Sequence, residues 1–351
     1  MAENSKIEWC DHTFNPWEGC QKVGPGCDNC YAETRNARFA GGAAINWGPG
    51  APRRRTSASN WANPPKWNRK AKLQHDAWEG FKAQHPGLTD EAMIAKGFIK
   101  PRRPRVFCAS LADVFDNAVD PQWRADLFAL IQKTPYLDWL LLTKRIGNVT
   151  PMLAAMAHGN DPDLRLLDMM PLPNVWIGAT IVNQAEADRD IPKLLELPAR
   201  VRFLSMEPLL GPVDLERPRP GPDLDQGGGR MICQPWLIQS GINWVIVGGE
   251  SGPGARPMHP DWARSLRDQC VAAGVPFMFK QWGEWTPGES VVRQRGTVAT
   301  AKWLNDAWSL HEEDLASTDR HYDDEPDLYR IGKKASGRHL DGRTWDGFPA
   351  A

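Results

Sequence analysis

Asn174-Val-Trp-Ile-Gly-Ala-Thr180, then Ile-Val-Asn183-Gln-Ala-Glu186, and after one amphipathic stretch Val201-Arg-Phe-Leu-Ser-Met206: residues 174–206 decide the fold. The outer pieces are short, nearly continuous apolar runs rich in β-branched and aromatic residues, the composition of strands buried on both faces. Between them Asn183 can cap a helix, with Glu186 three residues on in the capping-box position. Strand, helix and strand in that order read as one βαβ unit of a parallel sheet.

The same unit recurs on either side. Upstream lie Arg105-Val-Phe-Cys-Ala-Ser110 and Asp138-Trp-Leu-Leu-Leu-Thr143. Downstream lie Asn243-Trp-Val-Ile-Val-Gly-Gly249 and Val275-Pro-Phe-Met-Phe-Lys-Gln281. The six starts are spaced by 33, 36, 27, 42 and 32 residues, the length of a strand, a helix and two loops. Asp120-Pro121 opens a helix whose apolar face is Trp123, Leu127, Leu130 and Ile131, and His259-Pro260-Asp261 opens another that Gly274 stops. Lys6-Ile-Glu-Trp-Cys10 reads as the first strand, giving about seven βα units and an α/β fold class. The alternation makes residues 1–285 a barrel and 286–351 a polar, partly basic C-terminal extension. Two insertions interrupt the barrel, one at about 40–104 and one at about 215–240 (Pro218, Pro220, Pro222, Gly227-Gly228-Gly229).

Composition narrows the function classes. At 351 residues, 41% hydrophobic and 24% charged, the chain is an ordinary globular protein and neither disordered nor fibrous. No run approaches the ~18 apolar residues of a membrane span, and Met1-Ala2-Glu3-Asn4-Ser5-Lys6 has no signal-peptide core. A cytoplasmic protein with no membrane partner is expected. The net charge of −1 is unevenly spread: Arg53 to Arg105 holds 13 Lys and Arg against 4 Asp and Glu, leaving 29 against 39 elsewhere. Trp61, Trp67 and Trp78 are interleaved there with Arg53, Arg54, Arg55, Lys66, Arg69, Lys70 and Lys72, and the tail adds Lys333, Lys334 and Arg338. Cations among stacking surfaces suit a nucleic-acid strand. They equally suit a solvated basic insertion anchored by its tryptophans.

Each strand closes on polar or small residues, and in a parallel barrel those ends meet at one mouth, where active sites are built. At the same mouth, after the first strand, comes Asn15-Pro-Trp-Glu-Gly-Cys20-Gln-Lys-Val-Gly-Pro-Gly-Cys27-Asp-Asn-Cys30. Three thiols within eleven residues can hold three irons of a [4Fe–4S] cluster and leave the fourth open to a chelating ligand. The spacing also allows a zinc site closed by Cys10 or His12, or three unrelated buried thiols. Cys108, Cys233 and Cys270 are scattered, which argues against an auxiliary cluster.

The chain resembles the phage Gp37/Gp68 family, DUF5131, over nearly its whole length. The resemblance rests on Lys6-Ile-Glu-Trp, Phe14-Asn-Pro-Trp-Glu-Gly-Cys20 and Gly26-Cys-Asp-Asn-Cys-Tyr-Ala-Glu33. It continues through Phe107-Cys-Ala-Ser-Leu-Ala-Asp-Val-Phe115, Leu142-Thr-Lys-Arg145, Trp176-Ile-Gly-Ala-Thr180 and Leu204-Ser-Met-Glu-Pro-Leu-Leu-Gly211. Val247-Gly-Gly-Glu-Ser-Gly252, Phe279-Lys-Gln-Trp-Gly283 and Tyr329-Arg-Ile-Gly-Lys-Lys334 complete it, with Gly337-Arg-His-Leu-Asp-Gly342 last. That family is similar to radical S-adenosylmethionine (radical SAM) enzymes, particularly the spore photoproduct lyase branch. The resemblance implies a partial (β/α)6 barrel, open to extension by further units. This chain departs from the usual C-x3-C-x2-C spacing, its first gap being six residues, and Asn29 replaces the usual aromatic, with Tyr31 following the third cysteine.

The resemblance implies a [4Fe–4S] cluster on Cys20, Cys27 and Cys30 and S-adenosylmethionine as second cofactor. Ser110 and Asp113 are candidates for its amino group, Lys144 or Arg145 for its carboxylate, and Thr180 and Asn183 for the ribose hydroxyls. Glu207 is a candidate for the ribose or the substrate. Gly248 and Gly249 would allow close backbone approach to the adenosine. Glu250, Lys280 and Gln281 remain for the substrate, and Lys280, Glu250 and Glu207 are the candidate catalytic residues. The implied function is radical modification of a nucleic-acid base, such as isomerisation of an amino-acid-substituted thymine in phage DNA. DNA or a modified nucleotide would be the substrate, and an external donor would supply electrons. A DNA repair enzyme like spore photoproduct lyase and a non-catalytic, zinc-stabilised nucleic-acid-binding protein are the alternatives.

Overall fold

The computed structural model describes residues 2–158, 161–216, 241–288, 296–314 and 328–350. Most of the second expected insertion, including Pro218 to Gly229 and Cys233, lies outside the described residues. Seven parallel strands form the main sheet. They are β1 (His12–Phe14), β2 (Arg105–Cys108), β3 (Asp138–Thr143), β4 (Val175–Thr180), β5 (Val201–Met206), β6 (Trp244–Gly248) and β7 (Phe277–Gln281). Their spatial order is their chain order, with a two-residue antiparallel strand, Ala2–Glu3, outside β1. A sheet wound in one direction, with no reversal of strand order, curls toward a barrel. Here it stops as an open half-barrel.

Because side chains alternate across a strand, the two faces carry two cores. On the convex face, Val106, Leu141, Ile177, Leu204 and Val247 meet helix residues such as Leu127, Ile191 and Leu266. These belong to helices Pro121–Gln132, Gln184–Glu196 and Pro260–Ala273. The expected caps form: Asn183 Oδ1 accepts from the Glu186 N–H, His259 caps the last of these helices, and Gly274 ends it at φ +67°. On the concave face Phe107, Leu140, Trp176, Phe203, Trp244 and Met278 fill the floor. Gly178 is required there, because its Cβ would lie 2.3 Å from the Phe203 ring.

The first strand is not Lys6–Cys10. Those residues form turns, and the ladder begins at His12, which pairs with Val106. The apolar character of the expected strand serves the concave core instead: Trp9 stands 4.4 Å from Phe107 and packs on Phe203 and Trp244. The C-terminal extension holds a second sheet, ordered Trp285–Pro287, Leu328–Arg330, Thr297–Leu304, Ala307–Asp314. The chain then returns to the half-barrel, where the Trp345 carbonyl accepts from Phe279 N–H and Gly347 N–H donates to Phe277. That return covers the free edge of β7, which would otherwise present unpaired backbone groups. No described helix is long and apolar enough to cross a membrane.

The basic insertion is anchored through its aromatic residues. Trp67 and Trp78 are buried, Trp67 stacking on His12 at 4.4 Å and Trp61 meeting Phe14 edge-on. Arg55 lies over the Trp61 ring, and Arg53 forms a buried ion pair with Asp116 at 2.7 Å. Trp67 and Trp78 therefore offer no free stacking face, and Trp61 is covered on one side by Arg55. Asn60, just before the helix Asn63–Gln84, donates to the Asn15 carbonyl at the mouth, and the helix runs toward the opposite end, where Asn68 holds Tyr136 N–H and Lys70 faces Glu3. Its exposed cations Arg69 and Lys70 therefore lie away from the strands' C-terminal ends.

Candidate active site

The C-terminal ends of the parallel strands converge on a cavity of about 590 Å³, lined at that level by Asn15, Ser110, Thr143, Thr180, Ser205, Gly249 and Gln281. Its floor is apolar, with Trp9, Phe107 and Leu142. That size suits a nucleotide-sized ligand. Period-two alternation explains the polar rim: Lys144, Thr180, Ser205 and Lys280 continue the inward-facing rows that begin in the aromatic floor.

Cys20, Cys27 and Cys30 all line this cavity. Gly19, at φ +111°, turns the chain into their loop, and a Cβ there would lie 2.5 Å from the Asn46 carbonyl oxygen. Pro25–Cys27 forms a single 3-10 turn, and Cys30 caps the helix Tyr31–Phe39. Burial pushes the Cys20 thiol up to about 11, opposed by the adjoining Arg145 guanidinium. Burial raises the Cys30 thiol as well, with nearby backbone N–H groups opposing it. Neither Cys10 nor His12 joins this cavity. Cys10 is buried in the concave core, while His12 stacks on Trp67 and accepts from Asn4 N–H. The fourth ligand expected for a zinc site is thus not supplied by either. Among the described residues, no three His, Cys, Asp or Glu side chains converge tightly enough for a single metal ion.

Arg145 ties the cysteine loop to the sheet. Its Nη1 stands 3.5 Å from Cys20 Sγ and 3.0 Å from Asp113 Oδ2, and its Nη2 donates to the Gln21 carbonyl. Asp113 also accepts from Thr143 Oγ1, Lys144 N–H and Phe115 N–H, so its oxygens are engaged inside the protein. Across the mouth, Arg256 grips Glu250 through two nitrogens and reaches Asp28 and the Pro25 carbonyl, while Asn29 donates to Glu250 and Gly254. Burial alone would raise the Glu250 pKa, but Arg256 and Asn29 hold the carboxyl below its usual range. Lys280 Nζ lies 2.8 Å from both oxygens of Glu207, and Gln281 adds a third hydrogen bond.

The structure therefore brings together Ser110, Asp113, Lys144, Thr180, Glu207, Gly249, Glu250, Lys280 and Gln281 with the three cysteines. Asn183 is apart, occupied as a helix cap, and Gly248 does not line the cavity. Gly249 lines it, but the space its missing side chain leaves is taken by the protein: a Cβ would lie 1.8 Å from the Trp282 carbonyl oxygen. Sequence reasoning missed Arg256, although its Gly- and Pro-rich loop between β6 and the next helix sits where barrel mouths carry function. It also missed the Tyr31 hydroxyl, which donates to the Ser110 carbonyl and pins the following helix to β2. The model of a family described as "Protein of unknown function (DUF5131)" matches residues 4–349. No curated protein and no solved structure matches the chain.

Proposed function

This chain belongs to the DUF5131 family, and we propose that it is a radical SAM enzyme of the spore photoproduct lyase-like kind. In this reading Cys20, Cys27 and Cys30 hold a [4Fe–4S] cluster at the mouth of a (β/α)6-type barrel. One observation carries it. Three thiols from one short loop line the cavity where the strands end, whereas Cys10, Cys108 and Cys270 are buried elsewhere. The donor set fits the group: each sulfur would take a different iron, so the thiols need a shared wall and no common point. Arg145, 3.5 Å from Cys20 Sγ, favours the thiolate form. When bound and reduced, such a cluster would supply the one-electron reduction that cleaves S-adenosylmethionine and starts radical chemistry.

The chain's own groups do the positioning. Lys144 is half-buried beside the cysteine loop and has no carboxylate partner among the described residues. It is the cation best placed for the carboxylate of S-adenosylmethionine. Thr180 and Ser205 offer hydroxyls on the strand ends. Asp113 acts by orienting Arg145, and Glu250 by holding the cysteine loop through Asn29 and Arg256. The Glu207–Lys280 pair is the group free to hold or move a proton at a substrate in the cavity. The aromatic floor keeps water out from below.

The proposed substrate is a nucleic-acid base, with radical isomerisation of an amino-acid-substituted thymine as the reaction. Support comes from the family resemblance and the cavity size, and not from Trp67 and Trp78 of the insertion, which are buried. Anaerobic reconstitution tests the whole reading. Iron and sulfide bound in equal amounts, and 5′-deoxyadenosine released with S-adenosylmethionine and a reductant, are expected. Both should vanish in the Cys27→Ala variant. A colourless protein that binds one zinc and leaves S-adenosylmethionine intact would overturn it. Nucleoside mass analysis of phage-type modified DNA then tests the substrate.

A further inference from the structure

The cavity lining carries six Lys and Arg side chains against three Asp and Glu. All three acids are neutralised inside the protein, Asp113 by Arg145, Glu207 by Lys280 and Glu250 by Arg256. The surplus lies with Lys22, Arg35, Lys144 and Lys333. Lys22 donates to the Asp28 carbonyl and faces Glu33. Lys144 sits at the thiol end, its Nζ 3.8 Å from where a Gly26 Cβ would be. Arg35 is exposed and only loosely paired, 3.7 Å from a Glu18 that Arg54 holds more closely. Lys333 is exposed and has no carboxylate partner among the described residues.

Lys333 comes from the C-terminal extension, and its backbone is fixed at the rim. Ile331 and Gly332 N–H both donate to the Glu284 carbonyl, with Gly332 at φ +86°. Arg330 donates to the Gly252 and Pro253 carbonyls in the loop that carries Glu250. A lysine held beside a cavity, with no carboxylate partner among the described residues, is free to take an anion from solution. The cavity has room for a base and more, and the exposed Tyr31 ring also lines it. Trp67 and Trp78 of the insertion are packed away, whereas this rim carries cations beside an accessible ring.

We propose that Lys333 and Arg35 hold a phosphate ester of a nucleotide substrate whose base enters the cavity. This deepens the substrate half of the proposed function but does not depend on the cluster. The phosphate could belong to a free nucleotide or to a strand, and the experiment separates them. Binding of thymidine, thymidine 5′-monophosphate and a short single-stranded oligothymidylate is measured with the full chain, without S-adenosylmethionine or reductant. Variants are Lys333→Glu, Arg35→Glu and, as control, Lys66→Glu with Arg69→Glu.

The two rim variants should each lower affinity for the phosphorylated probes about tenfold and flatten the salt dependence by about one ion. Thymidine binding should be unchanged, and the control should bind like the parent. A strand as the natural source predicts tighter oligothymidylate than monophosphate binding, and equal affinities point to a free nucleotide. Either result supports the site. The proposal is overturned if the rim variants bind normally, if the control removes binding, or if no phosphorylated probe binds. Iron and sulfide content and S-adenosylmethionine cleavage, measured on the parent chain, keep this failure separate from failure of the cluster reading.

Discussion

The Arg145 guanidinium lies 3.0 Å from Asp113 Oδ2 and 3.5 Å from Cys20 Sγ, so one buried cation joins the sheet to the cysteine loop. Both side chains of the ion pair are nearly inaccessible, at 6% and 7% exposure. Removing one partner of such a pair leaves a charge without compensation and costs about 3–5 kcal/mol. Asp113→Ala should lose about that much in denaturant unfolding. The loss should be larger than for Thr143→Ala, which removes only the hydroxyl hydrogen-bonded to the same carboxylate.

Glu250 is held by Arg256 and Asn29, and its carboxyl stays ionised to lower pH than usual. A carboxyl with a depressed folded-state pKa contributes stability above its ordinary value, and that contribution disappears as pH falls through the folded value. Glu250→Gln should therefore destabilise the chain by about 2 kcal/mol at neutral pH. Parent and variant should converge as pH drops below the normal carboxylate range. The same variant should expose the cysteine loop, read as faster alkylation of Cys27 and Cys30 at neutral pH with Cys270 as internal reference. Unchanged alkylation would mean that Arg256 does not hold that loop.

Gly249 and Gly248 are adjacent, yet they should respond very unequally to alanine. At Gly249 the added carbon would lie 1.8 Å from the Trp282 carbonyl oxygen, part of a backbone that cannot yield. At Gly248 the nearest atoms are 3.4 Å away on the Glu207 side chain, an ordinary contact. Gly249→Ala should cost about 3 kcal/mol, as forced overpacking does, and Gly248→Ala less than about 1 kcal/mol. Paired thermal melts would show it.

The parallel strands were legible because burial on both faces makes them continuous apolar runs, as in Trp139-Leu-Leu-Leu142 and Trp244-Val-Ile-Val247. Trp9 and Cys10 misled for the same reason: they are apolar to serve the concave core, and a ladder is not the only thing that buries them. The hairpin Thr297–Leu304 and Ala307–Asp314 went unread because much of it is exposed. Its one signal was Asn305-Asp306, a two-residue turn with both φ positive. At the site, the polar and small residues closing each strand revealed the rim. They could not reveal that Asp113 and Glu250 are engaged by Arg145 and Arg256, because those partnerships depend on loop geometry. Composition could not distinguish an exposed stacking surface from an anchor in the insertion.

That last ambiguity has a direct test in Trp67 and Arg53. Trp67 is buried against His12, and Arg53 pairs with Asp116 while donating to the carbonyls of Asn46, Gly48 and Ala51. If they are anchors, Trp67→Ala should cost about 3–5 kcal/mol through lost packing. Arg53→Ala should cost about 3–5 kcal/mol by leaving Asp116 buried without its closest cation. Arg145, 4.0 Å from Asp116, offsets part of that charge, so Arg53→Ala should fall at the low end. Limited proteolysis should then cut first within residues 40–104, since those contacts hold the insertion to β1 and to the loop after β2. A stacking platform would give the reverse pattern: stable variants with intact proteolytic resistance and weakened binding of single-stranded DNA.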